Sequence, residues 1–315
     1  MPPPTSVTRP ASAKHLRARV GALLSILAGA VLLRVLSGVG FANYDTLYAL
    51  VWGQQAVRGE TPQYGIPIAP TPHPLLEALG AVLAPFGPRA AEHVTVALGF
   101  LALSACGWAV YRLGSLWFNR PAGVLAAVVL LTRVPVLSYG VRAYVDVPYL
   151  LLVLCALLVE SRRRRAGAPV LALLALAGLL RPEAWVFSGV YWLYLFWPYA
   201  ARSRARYMHR KDNVPKGVEA GPRTPRELAW LALLAAAAPV VWVVSDWVVT
   251  GDALWSLTNT RHTAAALHRE TGIAKVPEWV PRRIGEVLGA AALAAAAVGG
   301  ALSLWWLRAR ALPGA

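Results

Sequence analysis

The chain has 315 residues, 57% of them hydrophobic and only 15% charged, with a formal net charge of +16 and a mean hydropathy of +0.50. Soluble domains run at about 45–50% apolar and about 25% charged, so the composition excludes disorder, a collagen-like fibre and a disulfide scaffold. A basic, soluble nucleic-acid binder would not carry this much apolar sequence. The expected class is an all-α, polytopic membrane protein, with the lipid bilayer and not nucleic acid as its medium.

The N-terminal segment 1–19 is basic, with Arg9, Lys14, Arg17 and Arg19 preceding the first apolar run at 20–41. That run is too long for a signal-peptide core and reads as a retained span. Further apolar runs at 91–113, 122–139, 147–160, 168–180, 184–200, 228–249 and 284–307 bring the expected number of spans to about eight. Residues 147–160 and 168–180 are short for a span. The apolar stretch 73–86 is shorter still for its hydropathy and reads as interfacial or re-entrant. Cys106 and Cys155 lie in separate apolar runs and carry no information about redox compartment. No internal repeat is visible.

Charge placement orients the threading. With the N-terminus in the cytoplasm, the inner segments hold 20 of the 31 basic residues, opposed by Glu160, Asp212, Glu219 and Glu227 alone. The outer segments are close to balanced, as the positive-inside rule requires. Trp197, Trp230, Trp247, Trp305 and Trp306 fall near span ends, where amphipathic rings favour the headgroup layer. The chain divides accordingly into a catalytic-core candidate at 20–200, a basic cytoplasmic loop at 201–227 and a C-terminal part at 228–315. Gly and Pro among the basic residues mark 201–226 as flexible.

Two outer segments, 42–90 and 250–283, exceed simple turns, and loops of that length are usually functional or disordered. In the first, Tyr44, Leu47, Tyr48, Val51 and Trp52 recur at helical spacing and predict a surface helix over Tyr44–Val57. Asp45 stands at its start, either as a helix N-terminal charge or as a functional carboxylate at the water–lipid boundary. Five prolines between Pro62 and Pro74 force an extended path to His73. The third span ends in SYGVRAYVDVP, where Arg142 and Asp146, four apart, share a face if the turn is helical. The hairpin LLRPEAW sets Arg181 and Glu183 around Pro182. Charges at membrane depth are costly and mark functional sites unless they form structural networks. Arg34, 11 residues before Asp45, would lie about 16 Å deeper, snorkelling, paired or facing a polar cavity. Together Asp45, His73, Arg142, Asp146, Arg181 and Glu183, with Tyr44, Tyr64 and Tyr144, suit an anionic, hydroxylated substrate. No P-loop, GxGxxG, HExxH or GxSxG occurs, so nucleotide hydrolysis, dinucleotide redox and serine-hydrolase chemistry have no support.

The Asp after the first span, a surface helix ending in G-x-x-P-x-Y and the run TPHPL resemble the GT-C superfamily of membrane glycosyltransferases. The branch of protein O-mannosyltransferases and aminoarabinose transferases is most similar. VRAYVDVPYLLLVLCALLVE resembles that branch's third-to-fourth span junction, LALAGLLRPEAW its short hairpin, and TGDALWSLTNTRHTAA an extension in actinobacterial members. The resemblance covers about residues 20–200. It implies transfer of a sugar from a polyprenyl-phosphate carrier to an extracytoplasmic glycan, lipid or protein acceptor, with inversion. Asp45 would be the base and Arg181 or Arg142 the phosphate ligands. His73 and Asp146 would match substrate-binding positions, beside Tyr44, Tyr64 and Glu183, whose residue types suit substrate binding by themselves. No cofactor is certain, and a divalent metal is an open possibility at Asp146 and His73. The chain departs from the family in having fewer spans and a single acid at Asp45 where a pair is usual. The alternatives are a lipid-linked substrate transporter or flippase, which would favour broken helices and repeated halves, and a non-catalytic cell-envelope scaffold.

Overall fold

A computed structural model describes residues 11–208, 224–269 and 272–306, and all regular structure among them is helical. The helices are α1 (Ala11–Ser37), α2 (Tyr44–Val57), α3 (Pro74–Leu83), α4 (Pro88–Trp117), α5 (Arg120–Leu131), α6 (Val134–Val141) and α7 (Asp146–Arg162). They continue with α8 (Ala168–Gly178), α9 (Glu183–Met208), α10 (Pro225–Thr250), α11 (Trp255–Ala266), α12 (Val276–Leu288) and α13 (Ala290–Trp306). Three helices are long and apolar enough to cross a membrane, within Leu16–Ser37, Pro88–Trp117 and Pro225–Thr250; counting each of two bent pairs as one span gives five. Large apolar side chains stand exposed along them, among them Leu24, Val31, Leu125, Leu233 and Val248. Water would not tolerate that surface, whereas lipid would. The protein is an all-helical membrane protein.

α4 is the central pillar, packed by α1, α5 and α7, while α8 links α7 to α9 and α10. The core around it joins Ala30 and Leu33 of α1 to Phe100, Leu103 and Cys106 of α4 and Val147 of α7. Helix ends sort to two ends of this bundle. At one, the Trp117 indole donates to Ser161 Oγ (3.2 Å) and the Trp192 indole to the Leu228 carbonyl (3.1 Å). There Glu160 accepts from the amides of Arg165 (2.6 Å) and Ala166 (3.2 Å) and from the Tyr191 hydroxyl (2.5 Å), closing the α7–α8 turn. The other end gathers parts of the two long segments 42–90 and 250–283. Phe41 and Asn43 amides donate to the Val141 (3.2 Å) and Arg142 (3.0 Å) carbonyls, and the Leu75 amide to Leu179 (3.2 Å).

The expected surface helix forms over Tyr44–Val57, started by Asn43, whose side chain accepts from the Thr46 amide (2.9 Å). Thr46, Ala49, Leu50, Trp52 and Gly53 turn inward, and Tyr44, Leu47 and Val51 remain exposed. The apolar stretch at 73–86 becomes α3 and a short 3-10 turn, laid against α2. At that crossing the backbones touch: a Cβ on Gly53 would stand 2.2 Å from the Glu77 carbonyl, and one on Gly80 2.8 Å from the Leu50 Cα.

Several expectations are corrected. The span expected at 122–139 is broken, α5 and α6 meeting at 66°. Pro135 has no N–H for the Leu131 carbonyl and its ring would crowd it, so the helix restarts after Arg133. The span expected at 284–307 is bent by 108° at Gly289, whose φ of +77° suits glycine; residue 307 lies outside the described residues. Broken helices, not anticipated from sequence, are therefore present. Residues 168–180 yield only the 11-residue α8, roughly 17 Å long. The basic loop begins later than expected, since α9 runs to Met208; residues 209–223 lie outside the described residues. Among the described residues Arg34 has no ion pair with a carboxylate; its guanidinium donates to the Gly38 carbonyl at the end of α1.

The α2–α3 crossing sets a test. Gly53→Leu should lower the stability of the purified protein by at least the roughly 1–3 kcal/mol typical of overpacking. Gly65→Ala, where a Cβ meets nothing within 4 Å, should leave the melting curve unchanged.

Candidate functional site

At the end that carries α2, the turn before α7 is held in an uncommon conformation. Ala143 adopts φ +48°, a left-handed value costing a non-glycine residue about 1–2 kcal/mol. Thr46 justifies it: its buried hydroxyl donates to the Ala143 carbonyl (2.7 Å) from the first turn of α2. Asp45 is thereby fixed relative to α7. The Arg142 guanidinium lies over the rings of Phe41 (5.6 Å) and Tyr144 (5.0 Å).

This overturns the expected Arg142–Asp146 pair. α6 ends at Val141 and α7 starts at Asp146, so the two residues do not share a helical face. Asp146 is instead ion-paired with Arg181 from the α8–α9 turn. Arg181 also holds Glu183 (3.1 Å), its Nε lying 3.4 Å from the second Glu183 oxygen. Glu183 acidity is strengthened by this contact against the effect of burial, and Arg181 is held protonated despite its own burial. Asp146 and Arg181 side chains are 30% and 33% exposed, and a pair this accessible contributes on the order of 1 kcal/mol. Its weight is positional: it ties α7 to the α8–α9 hairpin beside Asp45.

Asp45 is half-buried, and among the described residues its carboxylate has no hydrogen-bond partner. Burial and then the charge of Asp146 raise its pKa, with Arg269 and Arg181 opposing. Arg269, from the second outer segment, was not singled out in the sequence. A carboxylate with its lone pairs free and its proton affinity raised has the properties of a general base.

His73 caps α3 and is buried, edge-on to Trp242 at 6.1 Å, with Nδ1 unpartnered. Burial and then Arg181 lower its pKa to about 4, so it is neutral at physiological pH. Tyr44 is exposed and its hydroxyl donates to the Ile68 carbonyl (3.0 Å). Tyr64, expected to contact substrate, is buried: its ring meets Trp52 edge-on at 4.8 Å and its hydroxyl donates to Glu77 Oε2 (2.5 Å). Glu77 Oε1 accepts from the His73 amide (3.1 Å). Burial pushes Glu77 up to about 7.

The segments 42–90 and 250–283 meet. Trp255 and Val249 pack on the Trp52–Tyr64–Ala69 nest, and Thr71 and Thr260 hydroxyls are 2.7 Å apart. Buried Asp246 holds α11 by accepting from the Ser256 amide (2.8 Å) and hydroxyl (2.7 Å). Glu77 and Asp246 escaped the sequence reading, although each is a lone carboxylate in an apolar run, the same signal that marked Asp146. Among the described residues no three His, Cys, Asp or Glu side chains gather as a metal site.

No protein-family model, curated protein or solved structure matches the chain.

The raised Glu77 carboxyl predicts a pH dependence. Unfolded, it ionises near 4.3; folded, near 7. The unfolded chain therefore loses the proton first, so this group's contribution to stability falls as pH rises from about 4.3 to 7 and is constant above. Glu77→Gln, which has no proton to lose, should gain in melting temperature relative to the parent chain over that window. Parallel curves from pH 4.5 to 8 would show that Glu77 titrates normally.

Proposed function

We propose that the protein is a membrane glycosyltransferase of the GT-C kind, moving a sugar from a polyprenyl-phosphate carrier to an acceptor outside the cytoplasm. The observation that carries this reading is the meeting of Asp45, Asp146, Arg181 and Glu183, from three distant segments, at one end of an apolar bundle. The acceptor hydroxyl gives its proton to Asp45 while its oxygen attacks the anomeric carbon. The carbon–oxygen bond to the lipid phosphate breaks from the opposite face, and the phosphate leaves with the bonding electrons, inverting the sugar. Arg181 receives the phosphate charge bidentately. Its contact with Glu183, whose side chain is 54% exposed, is the one the phosphate displaces, leaving Asp146 as the anchor. Arg142 is the weaker phosphate ligand, since its guanidinium is spent on two rings.

The bent pairs α5–α6 and α12–α13 favour a transporter as the second reading. Against it, Arg133 at the first break turns to the Leu288 carbonyl (2.8 Å) and not to the acidic cluster.

The same proposal has about eight crossings in a cell membrane, N-terminus in the cytoplasm. Support comes from the sorting of α4, α7, α8, α9 and α10 ends into an acid-rich end and a basic end. In intact cells, a cysteine replacing Thr61 should react with a membrane-impermeant thiol reagent, and one replacing Arg164 only after lysis. The reverse pattern would turn the protein over and move the cluster to the cytoplasm.

Asp45→Asn keeps size and most hydrogen bonding but cannot take the proton. With polyprenyl-phosphate sugars as donors, it should abolish transfer while donor binding and membrane insertion stay near normal. The loss should be of the order of the 10²–10⁴-fold typical of a general base, or more. Full transfer by Asp45→Asn alongside loss in Asp146→Asn would make Asp146 the base.

A further inference from the structure

The most strongly two-faced helix in the protein lies outside the candidate site. In α12, Val276, Val280, Ile284 and Val287 fall within an arc of about 80° at 3.6 residues per turn, and all four are exposed. The opposite arc holds Glu278, Arg282 and Glu286, while Arg283 flanks the apolar arc next to Val276. These charges satisfy one another: Arg282 reaches Glu286 at 3.2 Å and Arg283 reaches it at 2.6 Å. Arg283 also lies over the Trp279 ring at 4.7 Å, at the edge of the charged arc.

Three features fix how this helix lies. It meets α13 at 108°, and α13 is an apolar 17-residue helix, about 25 Å long, carrying Trp305 and Trp306 at its far end. If α13 runs along the bilayer normal, α12 runs along its plane. Next, the last carbonyl of α12, at Leu288, accepts from Arg133 Nη1, a cation at a helix C-terminus. Arg133 stands after the 12 residues of α5, about 18 Å from the basic end and so past the middle of a core about 30 Å thick, which sets the C-terminus of α12 in the half on the Asp45 side. Finally, α6, which bends away at Arg133, packs against α12 and leaves Val134 exposed beside it. The apolar arc of α12 is continuous with that lipid-facing surface.

We propose that α12 is an interfacial helix, lying in the plane of the leaflet on the Asp45 side with its valine–isoleucine face in the acyl boundary and its Arg–Glu face in water. The occupant of the exposed apolar arc is lipid and not a protein. An amphipathic helix so placed sits about 5–10 Å into the headgroup–acyl boundary. It serves as a float that holds α13 at a fixed depth through Gly289. The inference rests on the membrane reading of the chain and is independent of the transfer reaction.

Site-directed spin labelling of the full chain in phosphatidylcholine–phosphatidylglycerol vesicles tests it. Cysteines replace Val280, Ile284, Glu278 and Arg282 one at a time, and the unsubstituted chain, labelled in parallel, supplies the background from Cys106 and Cys155. Labels at 280 and 284 should be relaxed several-fold more by oxygen than by a water-soluble nickel chelate, at a depth of about 5–10 Å. Labels at 278 and 282 should show the reverse preference. Three outcomes overturn the proposal. Equal aqueous access at all four positions would lift the helix off the membrane. Protection of 280 and 284 from both relaxants would mean that protein covers the face. A depth near the bilayer centre at all four would make α12 part of a span.

Discussion

A single hydrogen bond between residues 97 apart, from the Thr46 hydroxyl to the Ala143 carbonyl, holds the site together. It is buried, so breaking it would leave a polar atom without water, at a cost of about 1–3 kcal/mol. It joins the first turn of α2, where Asp45 stands, to the left-handed turn that aims Asp146. The carbonyls of Val141 and Arg142 receive the chain just before it, and Arg142 stacks on Phe41 and Tyr144 across the same junction. Two loops that would otherwise move independently thus become one rigid platform. Catalytic or binding groups need such a supporting shell more than they need any further contact of their own.

The charges on the platform do not balance. Asp45, Asp146 and Glu183 face one guanidinium, that of Arg181, with Arg269 acting from farther away, and burial keeps His73 neutral. Burial, and after it the charge of Asp146, raises the proton affinity of the carboxylate on this platform that has no hydrogen-bond partner, Asp45. The surplus of acid also means that an anionic ligand gains most where it replaces an acid already on Arg181. Glu183, the more exposed of its two partners, is placed for that exchange.

Much of this was legible in the sequence because lipid leaves few options. A charge in an apolar run must be paired or functional, which marked Asp45, Asp146, Arg181 and Glu183 before any geometry was known. The bounds of α2 followed from its repeat and from Asn43, an N-cap residue that competes poorly inside a helix. Pairing was not legible, because it depends on which turns break. The spacing of Arg142 and Asp146 would put them on one face only in an unbroken helix, and the α6–α7 turn removes that condition. The bends at Arg133 and Gly289 were hidden in the same way, since hydropathy is blind to direction. Tyr64 looked like a ligand because a tyrosine beside prolines carries no sign of burial; the nest that encloses it draws Trp255 from a segment nearly 200 residues later.

Glu77 and Asp45, both at this end, are pushed toward neutrality by burial, and only one of the pair is suited to act. Glu77 has both oxygens engaged, one by the Tyr64 hydroxyl and one by the His73 amide, and it sits beneath the α2–α3 crossing where the Gly53 and Gly80 backbones leave no room for a ligand. To take a proton from a substrate it would have to give up the contacts that fasten the proline-rich segment to α3. Asp45 has raised proton affinity without those obligations: it is half-open, held by its backbone and not by its side chain, and within the field of the Arg181 charge that the proposed phosphate leaving group would need. The same physical cause, desolvation, thus yields a structural acid in one place and a candidate base in the other, and what separates them is whether the oxygens are already engaged.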